Sequence, residues 1–231
     1  MDTKLSKFTK DGWSYRVRAK DNEIILDHAE YFFYNNSRLE HLGNVRTATA
    51  TNFTRMFSGC NTLTTIPKVD TFNGTVFDYM FYGCSELISA PELVTGYGHS
   101  FVGMFYGCSK LTTIPKLDLY NAISPTALDS IFTKCPCLEN LYLHNIRTNL
   151  SLSASDVITV DSLVHMVKEL CKVSETRTLT IGSINLSKIT HLYCRVINDS
   201  NEKITMELCD NSCEGAITLI EYAALKNWVI S

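Results

Sequence analysis

The phrase MFSGCNTLTTIP, Met56 to Pro67, returns as MFYGCSELISAP from Met80 and as MFYGCSKLTTIP from Met104, 24 residues apart each time. A period of about 20 to 29 residues restricts a chain to architectures in which one small unit stacks on the next, because no unit of that size buries its apolar face alone. A looser copy ends at Leu138 after a three-residue insertion. One period before Leu63 stands Leu39, with Phe33 in the place of Phe57 and Asn36 in the place of Cys60. The register predicts five coils, two of them degenerate.

Each unit divides into two parts. In TNFTRMFSGC, Phe53, Met56 and Phe57 have the i, i+3, i+4 spacing of a helix face, a Thr or Asn can cap, and Gly59 stands where a helix end accepts a left-handed residue. This predicts one short helix per coil. The following TLTTIP is rich in β-branched residues and closes on Pro67, with Pro91 and Pro115 repeating the stop, which predicts a short strand. Copies of a residue then stand above one another. The expected core columns are Met56, Met80 and Met104; Phe57, Phe81, Phe105 and Phe132; Cys60, Cys84, Cys108 and Cys135; and Leu63, Leu87, Leu111 and Leu138. The cysteine, small and weakly polar, is expected to fill a tight interior bend. Lys68, Glu92 and Lys116 alternate in sign at the strand exit, and Glu86 precedes Lys110 by one coil. Alternating signs in strands about 4.8 Å apart attract.

Open edges of such a stack must be covered. On the N-terminal side Trp13, Tyr15 and Val17 alternate, Lys20 to Asn22 read as a polar turn, and Ile24 to Leu26 form an apolar run, together a hairpin over the first coil. Beyond Leu150 the phrase is gone. DSLVHMVKELCKV places Leu163, Met166, Val167 and Leu170 on one helical face, and TRTLTIGS reads as a strand ended by Gly182. THLYCRVIND and EKITMELCD read as strands, TLIEYAALKNW contains a short helix, and WVIS is a last strand. The expected fold is an α/β solenoid, a right-handed, leucine-rich-repeat-like stack of short helices and parallel strands. Its expected divisions are a cap with a degenerate first coil at 1–48, repeats at 49–150, and a divergent coil with a C-terminal cap at 151–231.

The 231 residues, 45% hydrophobic and 19% charged, suffice for a sizeable core. A net charge of −3 offers no basic field, so no nucleic-acid partner is expected. No segment approaches the roughly 18 apolar residues of a membrane span, so no membrane insertion is expected. The first residues carry charges throughout and no apolar run of export-signal length, which favours reduced thiols for the nine cysteines.

The MFSGC and MFYGC phrases with their following Leu and IP or AP resemble the BspA-like leucine-rich repeats of bacterial surface proteins and of bacteriophage and prophage proteins. DSLVHMVKEL, RTLTIGSINLSKIT and EGAITLIEYAALKNWVIS resemble the closing segments of phage and prophage members, so the likeness covers roughly residues 30 to 231. The resemblance implies a scaffold for adhesion or protein binding and brings no catalytic residues.

Several groups are candidates for chemistry. His191-x2-Cys194 with Cys209-x3-Cys213 has the two-pair layout of a small zinc site, although on a regular strand His191 and Cys194 face opposite sides. Cys135-Pro136-Cys137 is a C-x-C and departs from the redox C-x-x-C. The six histidines share no repeat position and stand in no hydrolase or metalloprotease motif, and TGYGHSFVG reads as a turn. Tyr79, Tyr82, Tyr97 and Tyr106 lie in or beside the repeats, where exposed aromatics anchor a protein partner or stack on sugar rings, or else pack against adjacent coils.

The expected function is non-enzymatic and without a cofactor: a binding or structural component of a phage or prophage virion, in a tail or appendage. It would be made in the host cytoplasm and engage a host surface protein or a glycan, besides its virion neighbours, through the tyrosines and Lys68, Glu92 and Lys116. A homo-oligomer is compatible with this reading. The alternative is a bacterial cell-surface adhesion or host-interaction module.

Overall fold

From Phe53 to Cys60 the backbone N–H groups alternate between two destinations. Those of Phe53, Arg55, Phe57 and Gly59 donate to the carbonyls of Val76, Asp78, Met80 and Tyr82 in the next coil, at 2.7 to 3.0 Å. Those of Met56, Ser58 and Cys60 donate three residues back, to Phe53, Arg55 and Phe57. The same alternation joins Phe77, Tyr79, Phe81 and Gly83 to the following coil, and Phe101, Gly103, Phe105 and Gly107 to Ala127, Asp129, Ile131 and Thr133. In this computed structural model, which describes residues 4–10, 13–20, 23–26, 28–39, 45–47, 49–66, 68–198, 204–209, 213 and 216–231, the expected repeat helices are not formed. A run of overlapping turns takes their place.

The physical reason is hydrogen-bond accounting. An α-helix sends each interior N–H to its own i−4 carbonyl and has none left for a neighbour. The turn run keeps one bond in two for itself and gives the other to the adjacent coil. It also needs a positive φ at regular intervals, found at Arg55, Gly59, Tyr79, Gly83, Gly103, Gly107, Ser130 and Lys134. That is the φ sign demanded at the third position of a type II turn. The glycine expected to end a helix is therefore a turn residue.

The apolar side chains of the turn run point into the stack. Met56, Met80, Met104, Phe57, Phe81, Phe105, Phe132, the four cysteines and the leucines at 63, 87, 111 and 138 are at most 1% exposed. Phe33, Phe57, Phe81, Phe105 and Phe132 stack nearly parallel, centroids 5.1 to 5.9 Å apart. Phe53, Phe77 and Phe101 form a second such column. Aromatic pairs contribute about 0.5–1.5 kcal/mol each beyond their burial. Each cysteine thiol donates to the phenylalanine carbonyl of the previous coil: Cys60 to Phe33, Cys84 to Phe57 and Cys108 to Phe81, all at 3.1 Å, and Cys135 to Phe105 at 3.0 Å. Burial pushes the Cys135 thiol up to about 12 and holds Cys84 and Cys108 far above the ordinary thiol range.

The strand side is less regular than expected. Among the described residues, strand pairing between repeats is limited to β5 (Thr113–Asp118) and β6 (Asn140–His144), which are parallel. Earlier coils meet there through single bridges such as Ser89 to Thr113 and Val45 to Val69. Pro115 does not end its strand. It lies inside β5, at the irregularity between Ile114 and Leu117 where the ladder shifts register, so its missing donor leaves no gap. Pro67 lies outside the described residues. Between bridges, threonines substitute for the ladder: the Thr71 hydroxyl donates to the Val94 carbonyl at 2.9 Å and accepts from the Val94 N–H at 2.8 Å, and Thr95 does the same with Asp118. The Thr47 hydroxyl bonds the Asp70 carbonyl.

At the N-terminal end β1 (Lys4–Lys10), β2 (Trp13–Lys20) and β3 (Glu23–Leu26) form an antiparallel meander, and β3 pairs in parallel with β4 (Val45–Arg46). The expected hairpin is β2 and β3; β1 was not anticipated, and Asp21 and Asn22 of the turn lie outside the described residues. At the other end β7 (Leu150–Ser151), α1 (Val160–Glu169) and β8 (Arg177–Thr180) follow the last repeat. Then come α2 (Gly182–Ile189), β9 (Tyr193–Asn198), β10 (Ile204–Cys209), β11 (Ile217–Thr218), α3 (Leu219–Ala224) and β12 (Trp228–Ile230). β12 pairs in parallel with β8, and β8 with β7, while β10, β9 and β11 make an antiparallel sheet. Thr159 caps α1, and Leu163, Met166, Val167 and Leu170 are buried. Gly182, expected to end a strand, opens the unanticipated α2 at φ 73°.

Two measurements check this packing. The raised thiol pKa values mean that folding favours the protonated form, so the cysteine contribution is fully present below the unfolded thiol pKa of about 8.5. It is lost as pH rises toward about 12, the Cys135 value. Urea midpoints across that window should fall more steeply for the wild type than for Cys84→Ala/Cys108→Ala/Cys135→Ala. Native iodoacetamide labelling should modify the exposed Cys137 and spare these three. Separately, a Cβ on Gly83 meets nothing within 4 Å, whereas one on Gly103 lies 2.5 Å from Tyr79 Cε1. Gly83→Ala should cost about 1–2 kcal/mol for its left-handed backbone, and Gly103→Ala more, by chemical denaturation.

Candidate binding groove

The strand-exit side of the coils encloses a cavity of about 750 Å³, within the size range of ligand sites. Its floor comes from Val45, Val69 and Leu93, which are buried because they continue the core columns. The threonine bonds described above hold consecutive coils edge to edge beneath it, so Thr71 and Thr95 are buried though polar. Above the floor stand Lys68, Glu92 and Lys116, one per coil and all exposed, with Asp70 and Asp118 beside them. Phe72 and Val94 form an apolar rim, each more than half exposed.

The two charge columns behave differently. Lys110 and Glu86 form a salt bridge at 2.6 Å on the outer surface. Among the described residues Lys68, Glu92 and Lys116 form no salt bridge, contrary to the attraction expected from their alternating signs. An exposed pair gains only about 0–1 kcal/mol, too little to hold two long side chains together against their rotamer entropy. The groove therefore carries, at Lys68, Glu92 and Lys116, exposed charges of both signs that are not tied into salt bridges with described residues. The carboxylates are more ordered: Asp70 accepts from the Phe72 N–H, and Asp118 accepts from the Tyr120 N–H and from Asn145 Nδ2.

The tyrosines separate into two places. Tyr82 stacks on Tyr106 with centroids 5.0 Å apart, Tyr79 meets Tyr82 edge-on, Arg55 lies over Tyr79, and Lys134 lies over Tyr106. This is a packed ladder along the turn run, in which Tyr82 is 41% exposed. Tyr97 stands apart at 59% exposed and meets Phe72 edge-to-face, which extends the groove rim. Phe72 and the Thr47, Thr71 and Thr95 column escaped sequence reasoning. The threonine column was detectable, since those residues are also 24 apart.

The zinc layout does not assemble. Cys194 is buried in β9 opposite Leu208 and Ile217, Cys209 faces Tyr193 across the ladder, and His191 is exposed before the strand begins. Among the described residues these four, His191, Cys194, Cys209 and Cys213, do not bring three ligand atoms within 4.8 Å. Burial pushes Cys194 up to about 11, which opposes the thiolate a metal requires. Cys135 is buried in its column while Cys137 is exposed, and both thiols are free. The histidines, by contrast, are not all scattered: His144 and His165 meet beside Glu169.

No described helix is long and apolar enough to cross a membrane. Comparison of the chain with protein-family models, with curated proteins and with solved structures finds no match.

Paired substitutions separate framework from surface here. Thr71→Val strips two buried bonds from the groove floor and should destabilise by about 1–3 kcal/mol, while Lys110→Ala should cost less than about 1 kcal/mol. Equal losses in urea titration would contradict the threonine ladder.

Proposed function

We propose that this chain is a non-enzymatic binding or structural protein, a leucine-rich-repeat-like solenoid whose groove along Lys68, Glu92 and Lys116 receives a host surface protein or glycan. The observation that carries the reading is the groove itself: a preformed apolar floor beneath the exposed charges of Lys68, Glu92 and Lys116, alternating in sign from coil to coil. A partner supplying the opposite sequence of charges gains attraction at several points in fixed register, and charge order of this kind confers selectivity more than affinity. Phe72 and Tyr97 at the rim offer flat apolar faces to a side chain or a sugar ring. The buried, hydrogen-bonded thiols of the repeat are packing groups on this reading and take no part in chemistry.

The proposed setting is a phage or prophage virion, in a tail or appendage, which rests on the resemblance of the MFxGC phrases and closing segments. Mass spectrometry of purified particles should find the chain at defined stoichiometry. Labelled protein should bind the host envelope fraction. The triple reversal Lys68→Glu/Glu92→Lys/Lys116→Glu should weaken that binding by about tenfold or more, the equivalent of 1.4 kcal/mol, with an unchanged melting temperature. Full binding by the reversal variant, with loss in Tyr82→Ala/Tyr106→Ala, would move the contact to the tyrosine ladder. Absence from particles together with no envelope binding would end the reading.

A further inference from the structure

Where the repeats give way to the C-terminal region, three ligating side chains converge. His144 ends β6, and His165 and Glu169 stand four residues apart on α1, which packs against β6. Residues at i and i+4 share a helix face. One ligand atom from each of the three lies within 4.8 Å of the others. His144 Nδ1 is 3.4 Å from Glu169 Oε2, and the two imidazoles meet edge-to-face with centroids 4.9 Å apart. All three are half-buried. Among the described residues His165 Nε2, which is buried, has no hydrogen-bond partner, a costly state for a ring nitrogen.

We propose that His144, His165 and Glu169 form a binding site for a single first-row divalent cation, with zinc as the best match. Two imidazoles and one carboxylate are the donor set that suits zinc, with bonds of about 2.0–2.2 Å and a water completing the tetrahedron. Tetrahedral ligands at that bond length lie about 3.4 Å apart, the separation His144 and Glu169 already have. His165 presents a ligand atom within 4.8 Å of the other two, so on binding it has to close by an ångström or more to reach the spacing of a tetrahedral shell. Magnesium and calcium, which prefer all-oxygen shells, fit poorly. The carboxylate is held from outside, since Glu169 Oε2 accepts from the Asn145 N–H at 3.3 Å, and outer contacts of this kind orient ligands in metal sites. A bound cation ties the last repeat strand to α1 and so joins the coils to the C-terminal region. The site is independent of the groove reading.

The test uses the full chain, stripped with chelator and kept reduced, and zinc chloride alone as the probe. Calorimetry and equilibrium dialysis should find one equivalent of zinc per chain, with a rise in melting temperature on loading. Glu169→Gln preserves shape and removes the anionic donor; His165→Ala removes a nitrogen. Each should weaken binding by about 100-fold or more, beyond the effect of losing an outer-shell contact, while circular dichroism stays native. His191→Ala should bind as the wild type does. The exposed or half-buried thiols are the competing explanation. One equivalent that survives Glu169→Gln and His165→Ala but vanishes in Cys137→Ser or Cys209→Ser/Cys213→Ser overturns the site, as does a folded wild-type chain that binds no zinc.

Discussion

The alternate donation of backbone N–H groups from one coil to the next is the constraint on which the molecule rests. A buried N–H without a partner costs about as much as a lost hydrogen bond, so once the chain coils at this pitch every second donor of the turn run must find a carbonyl of the adjacent coil. The coil below then fixes the position of the coil above to within a hydrogen bond. Side chains inherit that spacing: the phenylalanine centroids recur at 5.1 to 5.9 Å because the backbones they hang from do. The cysteine is the side-chain version of the same bond, a small buried donor meeting a carbonyl of the previous coil. Its chemistry is suppressed by the burial that makes it useful.

The 24-residue spacing makes legible which residues meet, since register follows from counting. It does not reveal the backbone path between them. Phe53, Met56 and Phe57 fall on one face of a helix and equally on one face of a turn run, and Gly59 serves a helix end and a type II turn alike. What distinguishes the two is the destination of the N–H groups, which lies in another coil and leaves no trace within one copy. Pro115 misled for a similar reason: a missing donor stops a strand only where the ladder needs one, and that depends on the register shift against β6. β1 and α2 lack strong periodicity or a decisive breaker, and their formation rests on what they pair or pack with.

The groove was legible as its charges and hidden as a cavity. Lys68, Glu92 and Lys116 share a repeat position, but their failure to pair depends on side-chain reach and exposure. Phe72 has no aromatic copy one coil later, where Gly96 stands, so repeat counting passed over it. His144, His165 and Glu169 were more deeply hidden. His165 and Glu169 alone are an unremarkable helix pair, and His144 comes from a strand whose distance from α1 only the fold determines.

These positions share a logic that follows from stacking. A residue in a repeat column is set against its own copy about 5 Å away, and two like charges at that distance repel by roughly 3 kcal/mol at an effective dielectric of about 20. Interior columns must therefore be uncharged, which fits their occupation by Phe, Met, Leu and a protonated Cys. Charge is tolerated in a column only where it alternates in sign and faces water, as at Lys68, Glu92 and Lys116. Clusters of titratable side chains are pushed to where the repetition stops, and β6 with α1 is that place. Asn145 joins the two regions: its side chain donates to Asp118 at the groove end and its N–H to Glu169 at the histidines. Regular stacking thus confines charge to columns that face water or to positions beyond the repeats, and in this chain a single residue, Asn145, bonds to both.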